Sequence, residues 1–255
     1  AAMVRSLGLF CQFGVQMRAR VVEALFFFRQ HWPALLWLLA PVLVPLSLFQ
    51  NHRFYFLHGG DAELAGKDGL ALGVQLMGGL LANALTILYC LQQVRPAEAA
   101  ALLGGRPLWQ EALARAPLLF LVQLLAAFAI LGGLLFLVIP GIWLAGVFLP
   151  AYVLVTVERP SPLGAMQAAW ARFRPGAWPL AGSLGLLLLG LLLALALIGA
   201  LKTALAGLGN GPAWALGSVL DVGAMLLTQL VSILLVRFYD LERSANERPA
   251  DGGET

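Results

Sequence analysis

The sequence predicts an all-α polytopic membrane protein with six transmembrane helices and cytoplasmic interfacial amphipathic helices. Three observations carry this. Sixty per cent of the 255 residues are apolar and only 11% are charged, whereas a soluble domain keeps about a quarter of its residues charged to face water. The charges are also bunched: 23 uncharged residues separate Arg29 from Arg53, 26 separate Asp68 from Arg95, 42 separate Arg115 from Glu158, and 27 separate Arg174 from Lys202. Finally, the uncharged stretches are continuous and leucine-rich, without the in-out alternation of a membrane strand.

A helix needs about 20 apolar residues to cross the hydrocarbon layer. The first window that meets this is 32–49 and the second is 70–91. The 42-residue window is long enough for two crossings, and Val138-Ile139-Pro140-Gly141-Ile142 stands at its middle. Proline lacks an N–H and glycine tolerates left-handed backbone, so Pro-Gly reads as a turn. It divides the window into spans at 117–138 and 141–157. The fifth span is 179–201, and the sixth is 214–238, where Asp221 is the sole charge between Thr203 and Val236. The chain then divides into an N-terminal interfacial segment at 1–31, a six-helix domain at 32–238 and a tail at 239–255.

Lysine and arginine in short connections set orientation, because they are retained on the cytoplasmic side. The N-terminal segment, the second and fourth connections and the tail hold thirteen of these residues, and the alternate connections hold only Arg53, Lys67 and Lys202. This asymmetry puts both termini in the cytoplasm. It also accounts for the pI near 9.2 through contact with anionic headgroups, without a nucleic-acid partner. No cleavable signal peptide is expected, since arginines continue through residue 29. Cys11 and Cys90 fall on the cytoplasmic side and are expected to be unpaired thiols.

The cytoplasmic connections themselves read as helical. Pro96 suits a helix start and Gly104-Gly105 its end. In the fourth connection, Leu163, Met166, Ala169, Trp170 and Phe173 recur at three- and four-residue steps before Pro175-Gly176, which gives one apolar face. A short amphipathic helix with tryptophan and arginine lies in the membrane interface, and residues 7–24 are a third candidate. An arginine precedes a proline at Arg29/Pro33, Arg115/Pro117 and Arg174/Pro179. This hints at a unit used three times, an interfacial helix followed by a membrane hairpin.

Residues 92–179 resemble the YciC family of bacterial inner-membrane proteins and, more loosely, the membrane domain attached to some glycerophosphodiester phosphodiesterases. The resemblance lies in Val138-Ile139-Pro140-Gly141-Ile142, Pro150, Val157-Glu158, Ala165 and Ala169, the tryptophan-arginine cluster at 170–178, and the exit at Val236-Arg237-Phe238-Tyr239-Asp240-Leu241. It implies a six-helix protein of the bacterial inner membrane with no established activity. It carries over no catalytic residue and no phosphodiesterase activity.

Signatures of chemistry are scarce. His31, His52 and His58 fall at membrane edges without metal-ligand spacing; His52, His58 and Asp61 are read as a solvated loop, and no cofactor is expected. The polar residues inside spans are more informative. Gln75, Gly79, Asn83, Thr86 and Cys90 form a stripe on the second span, Asp221, Thr228, Gln229 and Ser232 share a face of the sixth, and Gln123 adds a point on the third. A mid-span charge costs about 2.5–3.5 kcal/mol, so Asp221 must face protein or water, and Lys202 is placed to reach it. The aliphatic fifth span, 184–198, is expected to face lipid. The glycine spacings Ala181/Gly185 and Gly78/Ala82 are expected to let helices approach closely. Two expectations follow. The first is a non-enzymatic integral membrane protein acting in envelope maintenance through lipids, a membrane-protein partner or a second copy, with the polar stripes holding helices together. The second is a small transporter or lipid-handling protein whose polar cavity surrounds Asp221.

Overall fold

The computed structural model describes residues 2–59, 64, 67–136, 138–158, 161–206 and 210–247, with side chains over 18–205 and 211–244 of these. The described residues are almost entirely helical. In chain order the helices are α1 (Ala2–His52), α2 (Gly69–Val94), α3 (Pro96–Leu103), α4 (Leu108–Phe136), α5 (Val138–Phe148), α6 (Ala151–Val157), α7 (Pro162–Phe173), α8 (Ala177–Ala206) and α9 (Asn210–Glu247). Among the described residues, six segments are long and apolar enough to cross a membrane: Arg18–Leu57, Gly69–Val94, Leu108–Phe136, Val138–Val157, Ala177–Leu205 and Gly211–Ser244. They fit a multi-pass integral membrane protein.

The helices overrun the windows read from charge. α1 runs unbroken from Ala2 to His52 through Pro33, Pro41 and Pro45, so residues 7–24 continue the first span instead of forming a separate surface helix. Pro117 lies nine residues inside α4. The reason is electrostatic: Arg115 donates from Nε and Nη2 to Glu111 Oε1 at 3.0 and 2.8 Å, one turn away on the same helix, and a neutralised pair can enter a span that a lone charge cannot. The arginine-proline unit therefore marks a helix start only at Pro179, the third residue of α8.

The Pro-Gly turn is also displaced. α4 ends at Phe136 and α5 begins at Val138, so Pro140 and Gly141 lie in the first turn of α5, where a missing proline N–H leaves no intrahelical bond unmade. Gly141 serves close approach: a Cβ there would stand 2.4 Å from Leu134 Cγ and 2.8 Å from the Leu134 backbone nitrogen. The expected span at 141–157 is itself divided, at Leu149-Pro150, into α5 and α6. α3 fits its expected limits, Pro96 to Gly104-Gly105, where both glycines take positive φ, 53° and 80°. α7 also forms as expected, capped by the Ser161 hydroxyl accepting from Gly164 N at 3.1 Å. Its buried side is Ala165, Ala169 and Phe173, while Leu163 points outward.

α9 is the hub and packs on α1, α2 and α8; α4 and α5 form a hairpin that joins α2 and α8. Leu35, Leu39, Leu43, Leu85, Leu88, Leu154 and Leu234 fill the centre. α8 turns Leu189, Leu192, Leu193 and Leu197 outward, as the aliphatic fifth span requires of a lipid-facing helix. Of the expected small-residue contacts, Ala181 meets Gly146 on α5 and Gly78 meets Leu46 on α1, but Gly185 faces open space. Phe27 on α1 lies under the Arg237 guanidinium of α9, 5.1 Å from ring centroid to Cζ, so the first and last spans share an end. Arg95, Arg172 and Arg243 gather at this basic end; Arg53 and Lys202 occupy the opposite one.

Candidate ligand cleft and polar seam

At the end opposite the basic one, α1 does not simply stop. It widens into a π-helical turn at Arg53–Leu57, closed by His58 N donating to Arg53 O at 3.0 Å. Such turns re-aim side chains and recur at functional sites. Here Arg53 donates from Nε to Asp68 Oδ2, and His58 Nε2 shares the same oxygen at 3.1 Å. The other Asp68 oxygen accepts from Ala71 N at 3.2 Å and caps α2. One carboxylate thus starts the second span and clasps it to the end of the first. The Arg53 hydrogen bond, supported by those from His58 and the Ala71 amide, holds the Asp68 carboxyl well below the usual carboxylate range, against the opposing effect of desolvation.

Asp221 is reached as expected. Lys202 Nζ bonds both of its oxygens, at 3.0 and 2.9 Å. A third hydrogen bond comes from Asn51, whose Nδ2 lies 2.5 Å from Asp221 Oδ2. Asn51 is wholly buried and also donates to Ser47 O, while Ser47 Oγ donates to Ser218 O at 2.7 Å. Gly217 makes room for it, since a Cβ there would meet Asn51 Oδ1 at 2.9 Å and the Tyr55 ring at 3.2 Å. A cleft of about 270 Å³ opens over these groups, lined by Gln50, Arg53, His58, Asp68, Gln75, Lys202 and Asp221 among others. Gln75 therefore belongs to the cleft.

Toward the basic end, the two polar stripes meet each other. Thr86 Oγ1 donates to Gln229 Oε1 at 3.0 Å, and Ser232 Oγ donates to Asn83 Oδ1 at 3.3 Å. Thr228 returns its hydroxyl to Met225 O at 2.6 Å and receives Gln229 Nε2 at 3.4 Å. This is a closed hydrogen-bonded seam between α2 and α9. Gln123 stands half-buried on α4 and lines neither cleft nor seam. Cys90 ends the stripe as a buried free thiol; the side chain of Cys11 and the whole of Asp61 lie outside the described residues.

Beside the cleft, across the α1–α2 contact, runs an apolar groove of about 770 Å³. Alternate faces of the same two helix ends serve both spaces. Pro45, Leu46, Phe49, Gly69, Gly73 and Val74 line the groove, while Gln50, Arg53, Asp68 and Gln75 line the cleft. The Arg53 guanidinium lies over the Phe49 ring at 5.7 Å, at the border between them.

A third assembly escaped the sequence reading. At the basic end, Arg95 Nε donates to Asp240 Oδ1 at 2.7 Å and Nη1 to Glu98 Oε1 at 3.0 Å, and Nη2 reaches Ser244 at 2.9 Å. Arg243 joins Glu98 and Tyr239, whose hydroxyl donates to Glu158 Oε1 at 3.2 Å; that oxygen also accepts from Arg172 at 2.5 Å. The Glu158 carboxylate raises the Arg172 pKa by stabilising its charged form. The network ties α2, α3, α7 and α9 together. Its one legible signal was the co-location of opposite charges on the same side of the membrane.

No family model, no curated protein and no solved structure matches this chain.

Proposed function

We propose that this chain is a non-enzymatic protein of the bacterial inner membrane, YciC-like in kind and with both termini cytoplasmic, that holds an amphiphilic lipid in support of the cell envelope. One observation carries the reading: a long apolar groove and a charged cleft share the ends of α1 and α2. A lipid is the ligand class with matching halves, a chain for the groove and a polar head for the cleft. Arg53 supports the head assignment. Its Nε is given to Asp68, and its planar fork carries four further N–H donors suited to phosphate or carboxylate oxygens. Binding is favoured over passage because the cleft ends on the Lys202–Asp221 pair, and the α2–α9 seam beyond it is filled by mutual hydrogen bonds and packed leucine.

The test fills the groove without touching the cleft. Gly73 has open space at its Cβ position and lines the groove, so Gly73→Phe projects a ring into it. Lipid extracted from protein purified in mild detergent is then quantified per chain by mass spectrometry. The expected result is a loss of tightly held phospholipid in the variant at unchanged helix content. Equal lipid content in the two proteins overturns the reading.

A further inference from the structure

We infer that a second lipid site, selective for anionic phospholipid, lies at the basic end around Trp170 and Arg174. It extends the lipid-binding reading to a different part of the molecule and rests on its own geometry. Trp170 of α7 stands edge-on to Trp143, 5.4 Å between centroids at 90°, and stacks on Phe148 at 5.9 Å and 28°. Arg174, in the turn between α7 and α8, lies with its Cζ 5.5 Å from the Trp170 ring. Trp143, Trp170, Ala171, Arg174, Pro175 and Trp178 line an open hollow of about 470 Å³.

The two arginines of this turn differ in a way that points to a ligand. Arg172 is neutralised by Glu158. Arg174 forms no ion pair with a carboxylate among the described residues; its contact is the indole face. The exposed guanidinium lies within cation–π range of the ring, and its planar fork of N–H donors suits bidentate recognition of a phosphate diester. Trp170 also borders the apolar half. There Leu125, Phe148, Leu163, Met166 and Gln167 line a groove of about 350 Å³ that shares Trp170 with the arginine cavity. Leu163 and Trp170 are exposed on α7, and exposed tryptophan beside arginine is the side-chain pattern of a membrane interface. A single ring thus borders both the hollow that holds Arg174 and an apolar groove. Inorganic phosphate would use only the first, whereas an anionic phospholipid uses both.

The test is competitive binding. The full-length protein in mild detergent is offered an equimolar mixture of phosphatidylglycerol and phosphatidylcholine, and the ratio of bound species is read by native mass spectrometry. Wild type is expected to prefer phosphatidylglycerol, and Arg174→Gln to lose that preference about fivefold, the worth of one arginine beside an anionic lipid surface. Arg174→Lys is expected to keep part of it, because charge survives but the planar fork of donors does not. Trp170→Leu lowers binding of both lipids. Arg20→Gln, at an arginine of α1 paired with Glu23 and lining neither site, leaves the ratio unchanged. An unaltered ratio in Arg174→Gln overturns this site while leaving the first intact, and a ratio lost only in Arg53→Gln assigns the selectivity to the first site. Displacement of phosphatidylglycerol by inorganic phosphate overturns the lipid assignment.

Discussion

Replacing Lys202 with methionine isolates the contribution of the ion pair at the cleft. The Asp221 and Lys202 side chains are 17% and 20% exposed, between the two well-measured limits. Removing one partner of a fully buried pair costs about 3–5 kcal/mol, and exposed pairs contribute at most about 1 kcal/mol. For a pair one-fifth open, Lys202→Met is expected to cost about 2 kcal/mol, because Asp221 then keeps only the Asn51 donor. Asp221→Leu is expected to cost less, about 1 kcal/mol, since a lysine left alone can carry its ammonium to the interface along its flexible stem. The inequality is the sharper claim: the aspartate is held by buried Asn51 and cannot leave, and the lysine can.

The double variant tests the argument. Once neither charge remains, the penalty of the orphaned aspartate disappears, so Lys202→Met/Asp221→Leu is expected to be about 1 kcal/mol more stable than the sum of the single losses predicts. The assay is reversible unfolding of the four proteins in mixtures of dodecyl sulfate and mild detergent, followed by far-ultraviolet circular dichroism. Additive losses within about 0.5 kcal/mol, or Asp221→Leu proving the more damaging single change, would refute it.

The same titration reads three further variants or conditions. Gly146→Ala is expected to cost about 1–3 kcal/mol by overpacking, because its Cβ would stand 2.4 Å from the Ala177 carbonyl oxygen and 3.1 Å from the Ala181 nitrogen, backbone atoms that cannot step aside; Gly185→Ala, with open space, should be neutral or slightly stabilising. Gln229→Leu removes the acceptor of Thr86 and is expected to cost about 0.6 kcal/mol, the average for such bonds in membranes. Asp68 is depressed in the folded state, so its stabilisation is present above the ordinary carboxylate value near 3.8 and is lost as pH falls from there toward the folded value. Hydrogen exchange of the amides of residues 53–58 should therefore accelerate below about pH 4 in wild type and be pH-independent in Asp68→Asn, apart from the intrinsic chemical rate.

The spans were legible because insertion into lipid is decided by composition over some twenty residues, a property that a window of sequence carries whole. Their limits were not, because a limit depends on pairing. Arg115 reads as a boundary when counted as a lone charge, yet it bonds Glu111, one turn away inside α4. The i, i+4 spacing was the available signal. Pro140-Gly141 looked like a turn by conformational freedom, and the two residues instead open a helix whose glycine touches its neighbour.

The site divides along the same line. Lys202 and Asp221 match each other in sequence because a charge in a span has few places to go, and helical spacing marks the stripes bearing Asn83, Thr86, Gln229 and Ser232. Which stripe faced which was not readable, and Gln123 was grouped with residues it does not reach. Asn51, the second donor to Asp221, is not anticipated because it lies two residues beyond the expected end of the first span. It is held there by Ser47 of α1, whose carbonyl accepts from it, and by Gly217 of α9, whose missing Cβ leaves it room. The groove is a further step removed from sequence, since Phe49 and Gln50 are adjacent in the chain yet line different spaces. Composition can therefore say that a segment meets lipid. Only the angular register of one helix on another decides whether it meets bulk lipid or encloses a single molecule of it.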